Sequence, residues 1–218
     1  MNIKVDKGTI IVFDLDDTLY NELDYLKSAY KEISKSLEPK KWKLLYLKML
    51  SLYRSKKNTF KYLNDTYNIE LSELISIYRY HNPEIKLFYG AMDLMNSIKK
   101  HGGQIGLITD GRVETQMTKI KALGILEILD SIVISEEIGT EKPHLSNYKS
   151  IEKALSGNIY YYIADNFKKD FVTANQIGWE TIGLIDNGKN IHYESYKYLE
   201  NKLASKHLIM SIDEITII

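Results

Sequence analysis

Asp14, Asp16 and Asp17 follow the apolar run Ile10-Ile-Val-Phe13 and precede Thr18. Carboxylates this close repel one another and raise each other's pKa unless a cation or a basic group compensates. Magnesium suits such a cluster, because it is a hard cation that takes oxygen ligands and often shares one or two carboxylates with substrate phosphate. A β-type run that ends in acids therefore points to metal-assisted chemistry on an oxyanion. Further polar groups follow later apolar runs: Thr109-Asp110-Gly111, Lys142, and Asp165 with Asp170.

The surrounding pattern must bring these segments together. From about 20 to 88 the sequence is helical in texture, with Leu23, Leu26, Tyr30, Ile33 and Leu37 at three- and four-residue steps. Asn21 is the expected N-cap of that helix and Pro39 its stop. Trp42, Leu45, Met49 and Tyr53 form a second stripe, and shorter helices are expected at 58–67 and 71–81, before Asn82-Pro83. From 89 onward helices alternate with short β-type runs. Strands are expected at 105–109, 131–135, 159–164 and 181–185. Helices are expected at 91–100, 113–123, 145–156 and 168–177 and near 192–203, and a last run at 207–210. Alternation of this kind predicts an α/β fold, with a parallel sheet carrying helices on both faces. Ligands of such sheets sit beyond the carboxyl ends of the strands. Asp14, Thr109, Lys142 and Asp165 all fall on that edge.

Composition narrows the function classes. Lys and Arg balance Asp and Glu at 29 each, so no net charge draws the chain to a nucleic-acid polymer or a membrane. The absence of cysteine excludes disulfides, zinc-thiolate sites and thiol nucleophiles, and fits a cytoplasmic protein. No stretch approaches the ~18 apolar residues of a membrane span.

Four motifs in order resemble the haloacid dehalogenase-like hydrolase superfamily: Asp14-Leu-Asp16-Asp17-Thr18, Leu107-Ile-Thr109-Asp-Gly111, Glu141-Lys142-Pro143 and Asp165-Asn-Phe-Lys-Lys-Asp170. The fourth motif often begins Gly-Asp; here Ala164 precedes Asp165. The resemblance implies a Rossmann-like core, residues 1–19 and 89–218, with an inserted type 1 helical cap at 20–88 that closes over the site. It implies Asp14 as nucleophile and Asp16 as general acid, then base. Magnesium would be held by Asp14, the backbone carbonyl of Asp16, and Asp165, with Asp170 orienting the site or holding a bound water. Thr109 and the N–H groups of Asp110 and Gly111 would bind phosphoryl oxygens, and Lys142 would neutralise charge on Asp14 and the phosphoryl group.

Asp17 is expected to brace its loop. Arg112 and His144 are expected on the surface, and Tyr20, Tyr25 and Tyr30 as packing residues. The leading expectation is a magnesium-dependent hydrolase of a small phosphorylated metabolite, of the sugar phosphate or nucleotide class, acting through an aspartyl-phosphate as monomer or homodimer. A phosphomutase and a non-catalytic ligand-binding or regulatory protein are the alternatives. A dehalogenase is disfavoured by Asp16.

Overall fold

In the computed structural model, residues 1–199 and 204–218 are described. Eight strands occur among them: β1 (Asn2–Ile3), β2 (Thr9–Phe13), β3 (Gln104–Thr109), β4 (Ser131–Ile134), β5 (Ile159–Ala164), β6 (Glu180–Leu184), β7 (His207–Ile209) and β8 (Thr216–Ile217). The helices are α1 (Glu22–Leu37), α2 (Trp42–Arg54), α3 (Thr59–Tyr67), α4 (Leu71–Tyr80), α5 (Ala91–Lys100), α6 (Val113–Ala122), the single turn α7 (Ser135–Ile138), α8 (Leu145–Ala154) and α9 (Phe171–Gln176).

Strands β4-β3-β2-β5-β6-β7 form one parallel sheet in that order, and β1 pairs with β8 in a separate parallel pair. Every residue of β2 is buried, as expected for a central parallel strand covered on both faces. Side chains alternate along it. Ile10 and Val12 join Ile108, Tyr162 and Ala164 in a cluster with Tyr148 and Ile151 of α8 and Phe171 and Ala174 of α9. Helix α8 approaches β3 closely at Gly106, where a Cβ would lie 3.1 Å from Ile151 Cδ1. Beyond the end of α6, Gly124 (φ 70°) reverses the chain, and the Ile125 N–H bonds back to Ile120 O at 3.3 Å. Trp179 stacks on Tyr160 with centroids 5.0 Å apart, and meets Tyr148 and Tyr162 edge-on.

The chain divides into two compact units, Met1–Glu22 with Lys86–Ile218, and Leu23–Ile85. The second unit has its own apolar cluster, in which Leu26, Tyr30 and Ile33 of α1 pack with Leu45, Met49, Leu63 and Leu74. Its helices fall where the apolar periodicity places them.

Differences from expectation are local. The strand expected at 131–135 stops at Ile134, because Ser135 opens the turn of α7. The helix expected at 168–177 starts only at Phe171, since residues 166–170 fold around the Asp170 carboxylate, which accepts the Asn166 N–H at 3.0 Å. Near 192–203 the described part holds only a short 3₁₀ turn, Ser195–Lys197, and residues 200–203 lie outside the described residues. The β1–β8 pair was not foreseen; two-residue strands carry no periodicity. Among the described residues no helix is long and apolar enough to cross a membrane.

Candidate active site

The strand order reverses beside β2: the chain runs outward through β3 and β4, then returns to β5 on the other side. Open parallel sheets bind ligands at such a switch point, beyond the carboxyl ends of the strands. There a cavity of about 120 Å³ is lined by Asp14, Asp16, Thr109, Lys142, Asp165 and Asp170 among others. Residues remote in sequence thus line one hollow.

Asp14 is fixed at its base. Its N–H donates to Ile163 O at 2.9 Å, and its Oδ2 accepts the Thr18 hydroxyl at 3.1 Å. The Lys142 ammonium contacts Asp14 Oδ1, reaches Asp170 Oδ1 at 2.8 Å and donates to the Tyr162 hydroxyl at 3.2 Å. Asn190 Nδ2 donates to Asp165 Oδ2 at 2.9 Å. Carboxylate oxygens of Asp14, Asp165 and Asp170 lie within 4.8 Å of one another, and all three residues are buried. Closely grouped oxygen donors of this kind fit a hard divalent cation. The Asp16 side chain is not a member of this group.

Burial pushes the Asp14 carboxyl up to about 7; Lys142 opposes the shift and Asp170 adds to it. Asp165 is pushed well above the usual carboxylate range, by burial first and then by Asp14, Asp170 and Asp17. Burial works against the Lys142 ammonium, but Asp14 and Asp170 outweigh it and raise its pKa well above normal. One lysine therefore serves three crowded acids, an excess of negative charge that a bound cation would relieve.

Asp16 has a different environment. Lys119 Nζ sits 2.8 Å from Oδ1 and 3.0 Å from Oδ2, Gln116 Nε2 lies 2.9 Å from Oδ2, and the Tyr20 hydroxyl also donates to Oδ1. Burial raises this carboxyl, but Lys119 and these hydrogen bonds outweigh it and hold Asp16 below the usual range.

Thr109 is buried and accepts from Gln116 Nε2 at 2.5 Å. The Asp110 carboxylate is turned to other duties: it accepts the Lys142 N–H at 3.0 Å and pairs with Lys169. The Gly111 N–H donates to Ser135 Oγ at 2.8 Å, so a phosphoryl oxygen reaching for it would compete with that hydroxyl.

Asp17, with φ 57°, accepts the Glu22 N–H at 2.8 Å and the Ile191 N–H at 2.7 Å. Asn21 immediately precedes α1, and its Oδ1 accepts from Asn187 Nδ2 at 2.9 Å. Arg112 is exposed and paired with Glu136, and His144 caps α8 by accepting the Ser146 N–H. Tyr20 is fully buried.

Sequence reasoning missed Glu22, Lys169 and His192, which line the same cavity, and Gln116 and Lys119, which hold Asp16. Burial, then Asp16, lifts the Glu22 carboxyl to about 8. For Gln116 and Lys119 a sequence signal existed: they stand four residues before Ile120 and Leu123, the buried apolar positions of the inward side of α6.

The chain is 29% identical over 221 residues to a glyceraldehyde 3-phosphate phosphatase of Methanocaldococcus jannaschii, covering 94% of each chain. It is 26% identical over 190 residues to the protein of the same name from Pyrococcus furiosus, covering 79% of each. In fold it is similar to the HAD-hydrolase YfnB from Bacillus subtilis bound to magnesium, with a TM-score of 0.64 and 18% identity over 96% of this chain and 97% of that one. The model of the haloacid dehalogenase-like hydrolases matches residues 11–184, a stretch that includes Asp14, Thr109, Lys142 and Asp165, and the chain belongs to that family.

Proposed function

We propose that the protein is a magnesium-dependent phosphomonoesterase of a small sugar phosphate, working through an aspartyl-phosphate on Asp14. The observation that carries this reading is the buried group of Asp14, Asp165 and Asp170 at the switch point, with Lys142 joining Asp14 to Asp170. The two relatives named as glyceraldehyde 3-phosphate phosphatases support a three-carbon sugar phosphate as the first substrate to try.

Asp14 attacks phosphorus in line; its oxygen–phosphorus bond forms as the bond to the leaving oxygen breaks. Asp16 gives a proton to that oxygen, the negative charge of the bound phosphoryl group having raised its proton affinity. The same carboxylate then takes a proton from the water that hydrolyses the acyl phosphate. Lys142 offsets charge on Asp14 and on the phosphoryl oxygens, and the Thr109 hydroxyl donates to one of them. Magnesium, held by the carboxylates of Asp14 and Asp165 and the Asp16 backbone carbonyl, with Asp170 direct or through water, would supply further charge neutralisation.

The test is release of inorganic phosphate from a panel of sugar phosphates, glyceraldehyde 3-phosphate included, with magnesium and with EDTA. Turnover that EDTA removes is expected. No turnover on any member, or turnover indifferent to EDTA, overturns the reading.

A second measurement needs no substrate. Folding raises the pKa of Asp14 to about 7, Asp17 to about 6 and Glu22 to about 8, from ordinary values of 3.8, 3.8 and 4.5. These groups bind protons more tightly folded than unfolded. Their contribution to stability is full below the ordinary values and is lost as pH rises through 6 to 8. Asp16, shifted down, contributes in the opposite sense, but only below this window. Metal-free protein is therefore expected to melt lower at about pH 8 than at about pH 5, and magnesium to raise the midpoint more at the higher pH. A magnesium effect that shrinks over that range would contradict a cation among these acids.

A further inference from the structure

Helix α6 turns two polar side chains inward that the chemistry above leaves unused. Gln116 is 1% and Lys119 4% exposed. An ammonium is costly to bury, and an apolar side chain would pack there at less cost. Both residues spend their polar atoms on Asp16. Lys119 Nζ straddles the carboxylate at 2.8 and 3.0 Å, the Tyr20 hydroxyl adds a second donor at Oδ1, and Gln116 adds a second at Oδ2. With two donors at each oxygen the carboxylate is held in its plane, and one donor gives up its lone pair when Asp16 takes a proton. Gln116 Nε2 also donates to Thr109 Oγ1 at 2.5 Å. One amide nitrogen thus spans Asp16 and the hydroxyl beside the phosphoryl site.

We propose that Lys119 and Gln116 are positioning residues for Asp16, holding the carboxylate that handles the leaving-group proton at a set distance from Thr109. The inference rests on the phosphomonoesterase reading and on Asp16 as its acid and base. It has a consequence that loosened packing alone would not produce. When Asp14 displaces p-nitrophenolate, the leaving oxygen departs as a stable anion and needs no proton. When it displaces the alkoxide of a sugar phosphate, the proton from Asp16 must arrive as the phosphorus–oxygen bond breaks. The value of kcat/KM covers the steps through that cleavage, so slower hydrolysis of the acyl phosphate does not obscure the comparison.

The experiment compares p-nitrophenyl phosphate with glyceraldehyde 3-phosphate, both with magnesium, in the unchanged protein, Lys119→Met and Gln116→Met, with a thermal melt of each. In both variants kcat/KM for glyceraldehyde 3-phosphate is expected to fall about 10–100-fold, and that for p-nitrophenyl phosphate by less than about 3-fold. If Lys119→Met loses its cooperative melt, Gln116→Met carries the test, because it removes donors without removing a charge. Equal losses on the two substrates, or no loss on either, overturn the inference while leaving the phosphatase reading intact. Absence of magnesium-dependent turnover by the unchanged protein overturns that reading, and the inference with it.

Discussion

Replacing Asp14 with asparagine is expected to abolish turnover, with a loss of about 10⁴-fold or more in kcat/KM. Asparagine keeps the shape of the side chain and its amide oxygen can still face the Lys142 ammonium, which contacts Asp14 Oδ1 in the structure. What it lacks is a nucleophilic carboxylate oxygen. The variant separates chemistry from folding, because Asp14 is one of three crowded buried acids and its carboxyl is already pushed up to about 7. Removing it eases the repulsion on Asp165 and Asp170. Without metal at about pH 8, the melting midpoint of Asp14→Asn is expected to stay at or above that of the unchanged protein. Initial-rate assays and melts on the same preparations check both halves. Activity within about 10-fold of the unchanged protein would remove Asp14 from the role of nucleophile.

Lys142→Met is expected to damage both properties. Lys142 is 5% exposed, contacts Asp14, and lies 2.8 Å from Asp170 Oδ1. Methionine fills much of the same volume without the charge, leaving two buried carboxylates without their cation. Breaking a buried pair in this way typically costs about 3–5 kcal/mol, because the partners keep their desolvation and lose their compensation. Loss of a group that stabilises transition-state charge typically lowers kcat by about 10²–10³-fold. Magnesium is expected to recover part of the stability and little of the rate, since a cation among the acids offsets their charge without replacing the ammonium at its own position. Urea melts with and without magnesium, alongside kcat, distinguish the two effects. A variant with full stability and full rate would show that Lys142 is dispensable.

How far the sequence carried this reading depends on the kind of information each residue holds. The edge bearing Asp14, Thr109 and Asp165 was readable because each residue ends an unbroken apolar run, and a buried parallel strand leaves that run no other placement. The helices of the insert were readable from the spacing of Leu26, Tyr30 and Ile33, which the structure gathers into one cluster. What sequence could not supply was the direction of individual polar side chains. Gln116 and Lys119 stand at helical spacing from the buried Ile120 and Leu123, which hints at their face, but only the folded chain shows that their polar atoms meet Asp16. The part of the Gly111 N–H is similar: its partner Ser135 is 24 positions away, in a turn that the apolar pattern assigned to a strand. Asn190 meets Asp165 across 25 positions through a loop without periodicity.

The helical unit leaves and rejoins the rest of the chain within a single connection, between β2 and β3, and it carries an apolar centre of its own. Strand pairing does not pass through it. Mutations at Leu44 or Leu47, which are 66% and 64% exposed on α2, can therefore accumulate without disturbing the register on which Asp14 and Thr109 depend. Such an arrangement lets natural selection, or a protein engineer, vary residues 23–85 as a cassette while the catalytic frame is inherited unchanged.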